Sequence, residues 1–235
     1  MDTPSKDSLC SKSPVEPLPN PASKKFNGNT GGAHPAAVRG RTLYVARAGI
    51  IAAVYAAATL LCMLVLQGLA WGPVQFRISE AVCAVAVLSA PAVPGLAIGC
   101  VIANLANTVI NGTGPLGMLD VVFGSAATLL GAFWCRRFAG RPKLALAGFV
   151  VANAVIVPAY LPLLLQGLGF YTVPFTDISL DGAYPLMYLF GLVSTGIGEA
   201  VVIYGLGLPL LHALRSFGLG REGEPAALRD STERD

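Results

Sequence analysis

Charge is scarce in this chain of 235 residues: Asp, Glu, Lys and Arg together make 12% of it, about half the share of an ordinary soluble domain. Histidine is scarcer still, with His34 near the start and His212 near the end. No histidine lies where it could activate a buried serine or complete a metal centre, so a serine–histidine hydrolase and a zinc site are both disfavoured. There is no G-x-x-x-x-G-K-[ST] phosphate loop, no H-E-x-x-H and no G-x-S-x-G elbow. ATP binding by a P-loop and two common hydrolytic chemistries are thereby set aside. The five cysteines (Cys10, Cys62, Cys83, Cys100, Cys135) contain no C-x-x-C pair, and four sit in apolar runs. They read as small buried hydrophobes rather than disulfides or metal ligands, and no cofactor is expected. No apolar run begins before Leu43, so a secretory leader is not expected either.

What the chain has in quantity is apolar length. Its hydrophobic fraction is 54% and its mean hydropathy +0.64. The apolar residues lie between Leu43 and Leu214. Residues 1–42 read as a polar, basic, disordered tail and residues 216–235 as a charged tail, with a membrane domain over 43–215 between them. A bilayer core takes about 20 apolar residues per helix. Four stretches meet that length, but 78–110 is too long for one helix and short for two. Pro91, Pro94 and Gly95 in its middle are turn chemistry.

Charge bias decides that stretch. Cytoplasmic loops carry excess Lys and Arg. The basic clusters are Lys24 to Arg47, Arg136 to Lys143, and Arg215 with Arg221. Two short helices hinged at Pro91 put all three on one side; a single long helix does not. The expectation is an all-α integral membrane bundle of six transmembrane helices with both termini cytoplasmic. Their approximate spans are 44–69, 78–91, 94–110, 118–136, 144–166 and 185–213.

A charge within hydrocarbon costs on the order of 3 kcal/mol, so it usually has a task. Arg77, Glu80, Asp120 and Glu199 are the candidates, with Asn104, Asn107 and Asn153 as neutral polar groups. In the six-helix topology all but Glu199 and Asn153 belong to the outer half, and Glu199 lies deeper. That pattern suits a cavity open to the outside. The plainer readings stand beside it. Arg77 and Glu80 are spaced to pair with each other. Asp120 suits the start of a helix. Asn104 and Asn153 suit interhelical bonding. Trp71, Phe76, Tyr184 and Tyr188 are either an interfacial aromatic belt or stacking faces for a flat ligand. Small residues at Ala48, Ala52 and Ala56, and again at Ala53 and Ala57, serve internal packing or a seam for a partner.

Four blocks also carry a resemblance. Trp71-Gly72-Pro73-Val74-Gln75-Phe76-Arg77-Ile78-Ser79-Glu80 resembles the QueT family signature in its Gly-Pro-x-Gln-x-Arg-x-Ser-Glu core. Pro94 to Asn104, Leu119 to Ser125, and Gly196-Ile197-Gly198-Glu199 with Gly207-Leu208-Pro209-Leu210 are similar to the blocks that follow in that family. The agreement runs from about Ala46 to Leu214. The resemblance implies the substrate-binding S component of an energy-coupling factor (ECF) transporter in the cell membrane. Such a protein takes up a queuosine precursor, a 7-deazaguanine base, and works with a transmembrane coupling subunit and two ATPases. It is no enzyme itself. Another vitamin or nucleobase is the nearest alternative solute, and an intramembrane lipid-modifying enzyme the more distant reading. The substrate-binding set expected on this basis is Arg77, Glu80, Asn104, Asp120 and Glu199, with Trp71 and Tyr188 as aromatic faces. Ala48, Ala52 and Ala56 are the expected docking seam.

Overall fold

A computed structural model of the chain describes residues 35–66, 77–165, 179–180 and 182–219, with side chains from 38 onward. Its regular elements are helices: α1 Pro35–Leu66, α2 Ile78–Leu88, α3 Ala92–Ile110, α4 Gly114–Arg137, α5 Pro142–Leu165 and α6 Tyr184–Ser216. Five of them, all but α2, are long and apolar enough to cross a bilayer. The sixth expected helix forms but is short. Its first seven residues, Ile78–Ala84, are 3₁₀ and only Val85–Leu88 is α-helical. Such a segment rises about 20 Å, well short of a hydrocarbon core of about 30 Å. The hinge falls where the prolines sit, at Ser89, Ala90 and Pro91.

α1 spans Pro35–Leu66, so the last eight residues of the expected tail, 35–42, are helical. Proline suits a first helical turn, where its missing N–H would have no intrahelical partner. Two helices contain a widened turn of π geometry, Asp120–Gly124 in α4 and Ile203–Gly207 in α6. Such bulges recur at functional sites, and the first one begins on a candidate site residue.

Packing follows the rule of small contacts between membrane helices. α1 lies on α3 so closely that a Cβ on Gly95 would stand 2.7 Å from the Ala48 carbonyl oxygen, and one on Gly99 would stand 2.7 Å from that of Ala52. α4 packs on α5, and α5 on α6. The short α2 is enclosed, touching α1 and the widened turn of α6, with Ser79, Glu80, Ala81, Cys83 and Ala84 buried. The buried core is correspondingly rich in alanine and cysteine around Tyr55, Leu96, Phe149 and Ile203. Large apolar side chains point outward instead: Val45, Ile50, Leu64, Val65, Val109, Phe133 and Val151 are all exposed. Apolar surface on that scale fits lipid and not water.

Long-range hydrogen bonds align the two ends of the bundle. At one end the Tyr44 hydroxyl donates to the Ala90 carbonyl (3.4 Å), Arg136 Nη1 to the Val87 carbonyl (3.0 Å) and the Tyr204 hydroxyl to the Lys143 carbonyl (2.9 Å). The described basic residues of the sequence clusters, Arg136, Arg137, Arg141 and Lys143 among them, gather toward that end. The other end carries the start of α2, the last turns of α3 and the start of α4.

Candidate functional site

Four helices bring the polar residues of that other end together. Arg77 caps the start of α2 and is 7% exposed. Its guanidinium faces Asp120 of α4, with Nη2 3.7 Å from Oδ2. The expected pairing of Arg77 with Glu80 along one helix therefore gives way to an ion pair between helices. Asp120 is 2% exposed and opens the widened turn of α4. Its Oδ1 accepts from the Tyr160 hydroxyl of α5 at 2.5 Å. Its backbone carbonyl accepts from Asn104 Nδ2 of α3 at 2.9 Å. The carbonyl of a π turn is displaced from the regular ladder, which makes it available to a side chain.

Gly124 closes this turn. A Cβ there would lie 3.0 Å from Asn104 Nδ2, 3.1 Å from Asp120 Oδ1 and 3.2 Å from the Tyr160 hydroxyl. The glycine thus sits among the polar atoms of three helices, and a side chain would crowd all three. Phe123 stacks on Tyr160 with ring centroids 5.8 Å apart.

Glu80 and Glu199 form a second, deeper group. The Tyr55 hydroxyl of α1 donates to Glu80 Oε1 at 2.5 Å, and Cys83 Sγ to Oε2 at 3.1 Å. Asn153 Nδ2 of α5 donates to Glu199 Oε1 of α6 at 2.8 Å. Glu80 and Glu199 are near enough to act on one another electrostatically. Cys100 of α3 accepts from Asn104 Nδ2 and from the Thr128 hydroxyl, each at 3.4 Å. Asn107, also buried, accepts from Asn111 Nδ2 one turn along α3.

Five of the expected substrate residues, Arg77, Glu80, Asn104, Asp120 and Glu199, are thus drawn into one buried polar centre. Tyr188 is elsewhere: its hydroxyl donates to the Val155 carbonyl at 3.4 Å and its ring stacks on Tyr184, on the seam of α5 and α6. Trp71 lies outside the described residues. The residues that sequence reasoning missed are Tyr55, Cys83, Thr128, Gly124 and Tyr160. Tyr55 and Tyr160 had one available signal, a phenol within an apolar helix, where an O–H needs a partner.

The expected docking seam also has its place. Ala48, Ala52 and Ala56 are 9%, 4% and 6% exposed, and the first two lie under Gly95 and Gly99 of α3. This row is used for internal packing, which is the correction the fold makes to the docking assignment. One residue around the helix, Gly49, Ala53 and Ala57 are exposed, and a Cβ on Gly49 would meet nothing within 4 Å.

The model of the family described as QueT transporter matches residues 45–216, most of the chain. The chain belongs to the QueT transporter family. It is therefore a membrane transport protein and not an enzyme. The match spans all the site residues described above and leaves out only the first helical turns and the two tails. No curated protein and no solved structure gives a significant match. The buried centre holds three carboxylates, Glu80, Asp120 and Glu199, and one arginine, Arg77.

Proposed function

We propose that this QueT protein is the solute-capturing S component of an ECF-type importer and binds a 7-deazaguanine precursor of queuosine from outside the cell membrane. The observation that carries the reading is the convergence of Arg77, Asn104 and Asp120, from three helices, at the end opposite the basic residues. Basic residues mark the cytoplasmic side, so a six-segment topology with both termini inside places the polar centre toward the outside. A deazaguanine offers adjacent N–H donors that a carboxylate accepts and a carbonyl that a guanidinium donates to.

The sequence carries no phosphate-loop motif, and on this reading a transmembrane coupling subunit and two ATPases supply the energy. The exposed row Gly49, Ala53, Ala57 on α1 supports docking there, since small residues let another helix approach closely. Docking and ATP hydrolysis then reorient the bundle and release the base inside.

The deciding experiment is calorimetry on the purified chain with 7-deazaguanine bases, using guanine, riboflavin and thiamine as controls. Selective binding of a deazaguanine is the expected result. A clear hit among the controls alone would keep the capture role and replace the solute. For the docking seam, Ala53→Leu should stop uptake in cells while leaving solute binding intact; normal uptake by that variant would remove the assignment.

A further inference from the structure

The polar centre is unevenly satisfied. Buried polar groups are nearly always hydrogen-bonded, and each exception requires a reason. Glu80 has a donor on each oxygen. Yet Arg77 Nε and Nη2, Asn104 Oδ1 and Asp120 Oδ2 have no hydrogen-bond partner among the described residues. These residues are 7%, 0% and 2% exposed. Arg77 and Asp120 face each other at 3.7 Å, beyond hydrogen-bonding distance, so their attraction leaves Nη2 and Oδ2 without a hydrogen bond. The other ends of these side chains are already fixed: Asp120 by Tyr160, and Asn104 by the Asp120 carbonyl. The result is a set of two free acceptors and one forked cationic donor, with the engaged ends of Asn104 and Asp120 packed beside Gly124.

We propose that Arg77, Asn104 and Asp120 form the recognition edge of the solute site and select a flat heterocycle bearing at least two N–H donors beside a carbonyl. The proposal rests on the substrate reading above and assigns its specificity to named atoms. Asp120 Oδ2 and Asn104 Oδ1 each accept an N–H, and Arg77 donates to the carbonyl. The lactam-and-amine edge of a 7-deazaguanine meets all three. An adenine-type edge has no carbonyl for Arg77. A flavin imide has a single N–H between two carbonyls and leaves one acceptor unmet. A site that leaves its own buried polar groups unpaired rejects the wrong ligand strongly. Glu80, though more prominent in the sequence signature, has both oxygens engaged and is not part of this edge.

The test pairs ligand deletions with side-chain deletions on the purified full chain. Wild type, Asp120→Asn, Asn104→Ala and Arg77→Met are titrated with 7-deazaguanine, 7-deazahypoxanthine (no amine) and 7-deaza-6-thioguanine (the carbonyl oxygen replaced by a weakly accepting sulfur, both kinds of N–H kept). Wild type should lose about 10- to 100-fold in affinity with either altered base, the usual range for a hydrogen bond to a charged group. One acceptor takes the ring N–H and the other the amine, so in one of Asp120→Asn and Asn104→Ala, the variant that has lost the amine's partner, the loss from removing the amine should shrink to about 3-fold or less. Arg77→Met, which has no donor, should do the same for the exchange of the carbonyl oxygen. Such couplings are not produced by general loosening of the fold. If every variant keeps the full wild-type penalties, the edge is elsewhere and the proposal fails, while the substrate reading survives. If wild type binds no deazaguanine, the substrate reading fails and the edge with it. Should the polar variants not purify as monodisperse protein, Gly124→Ala tests the same space: weakened binding of all three bases is expected, and unchanged affinity overturns the proposal.

Discussion

The buried polar centre has two halves built from the same kinds of residue in opposite ways. In the deeper half each acid is held by neutral donors, Glu80 by Tyr55 and Cys83 and Glu199 by Asn153. In the other half a charged pair, Arg77 and Asp120, meets at 3.7 Å and leaves polar atoms unpaired. A saturated group contributes to one conformation of the bundle. An unsaturated group costs stability in the free protein and recovers it on binding. The contrast separates what holds this protein together from what it holds.

The largest expected effect comes from breaking the charged pair on one side only. Arg77→Leu leaves Asp120 buried without its cation, a change that typically costs about 3–5 kcal/mol. Thermal unfolding in detergent should show a large drop. Replacing both partners, as Arg77→Met with Asp120→Leu, removes the uncompensated charge and should restore most of the stability, as buried pairs exchanged for apolar groups often do. Binding of a deazaguanine should remain lost. If the double variant still binds, the pair is structural and the contrast between the halves collapses.

A smaller effect is expected in the saturated half. Asn153→Leu strips Glu199 of the amide donor that reaches it from α5. Leaving a buried acceptor unpaired costs about 1–3 kcal/mol. The unfolding temperature should fall, while the order of preference among the deaza bases stays as in wild type. A changed order would move Glu199 into the recognition edge.

How far this was readable beforehand differs by level. Long apolar runs and the prolines at 91 and 94 located the helices, because bilayer thickness fixes their length. That the second helix is short was legible in its expected span 78–91; its 3₁₀ start was not, and follows from how it is enclosed. The ionisable residues stood out by their cost in hydrocarbon. Their partners did not, because Tyr55, Asn153 and Tyr160 are joined to them across 25, 46 and 40 residues. The two rows of small residues on α1 show the same limit. Ala52 faces α3 and Ala53 faces outward, but lipid and protein interior are equally apolar, so composition cannot tell the inner face from the outer.

The cleanest comparison removes one atom from each half in the same chemical setting. Tyr55 and Tyr160 each donate a hydroxyl to a buried carboxylate at 2.5 Å. Phenylalanine removes the oxygen and keeps the ring, so each substitution deletes one charge-assisted hydrogen bond of about 1.5–3 kcal/mol. Where that loss is expressed should differ. Glu80 retains Cys83 on its other oxygen and has no ligand to position, so Tyr55→Phe should lower the unfolding temperature and change affinity little. Asp120 depends on Tyr160 to hold Oδ1 while Oδ2 meets the solute. Tyr160→Phe should therefore weaken deazaguanine binding about 10-fold, since misplacing one well-aligned acceptor costs roughly the net value of its bond. Its effect on unfolding should be less than that of Tyr55→Phe, because Asp120 keeps its attraction to Arg77. Unfolding and calorimetry on the two variants side by side check both directions. Equal shifts in both measurements would mean that the centre acts as one network and that the division into a holding half and a binding half is wrong.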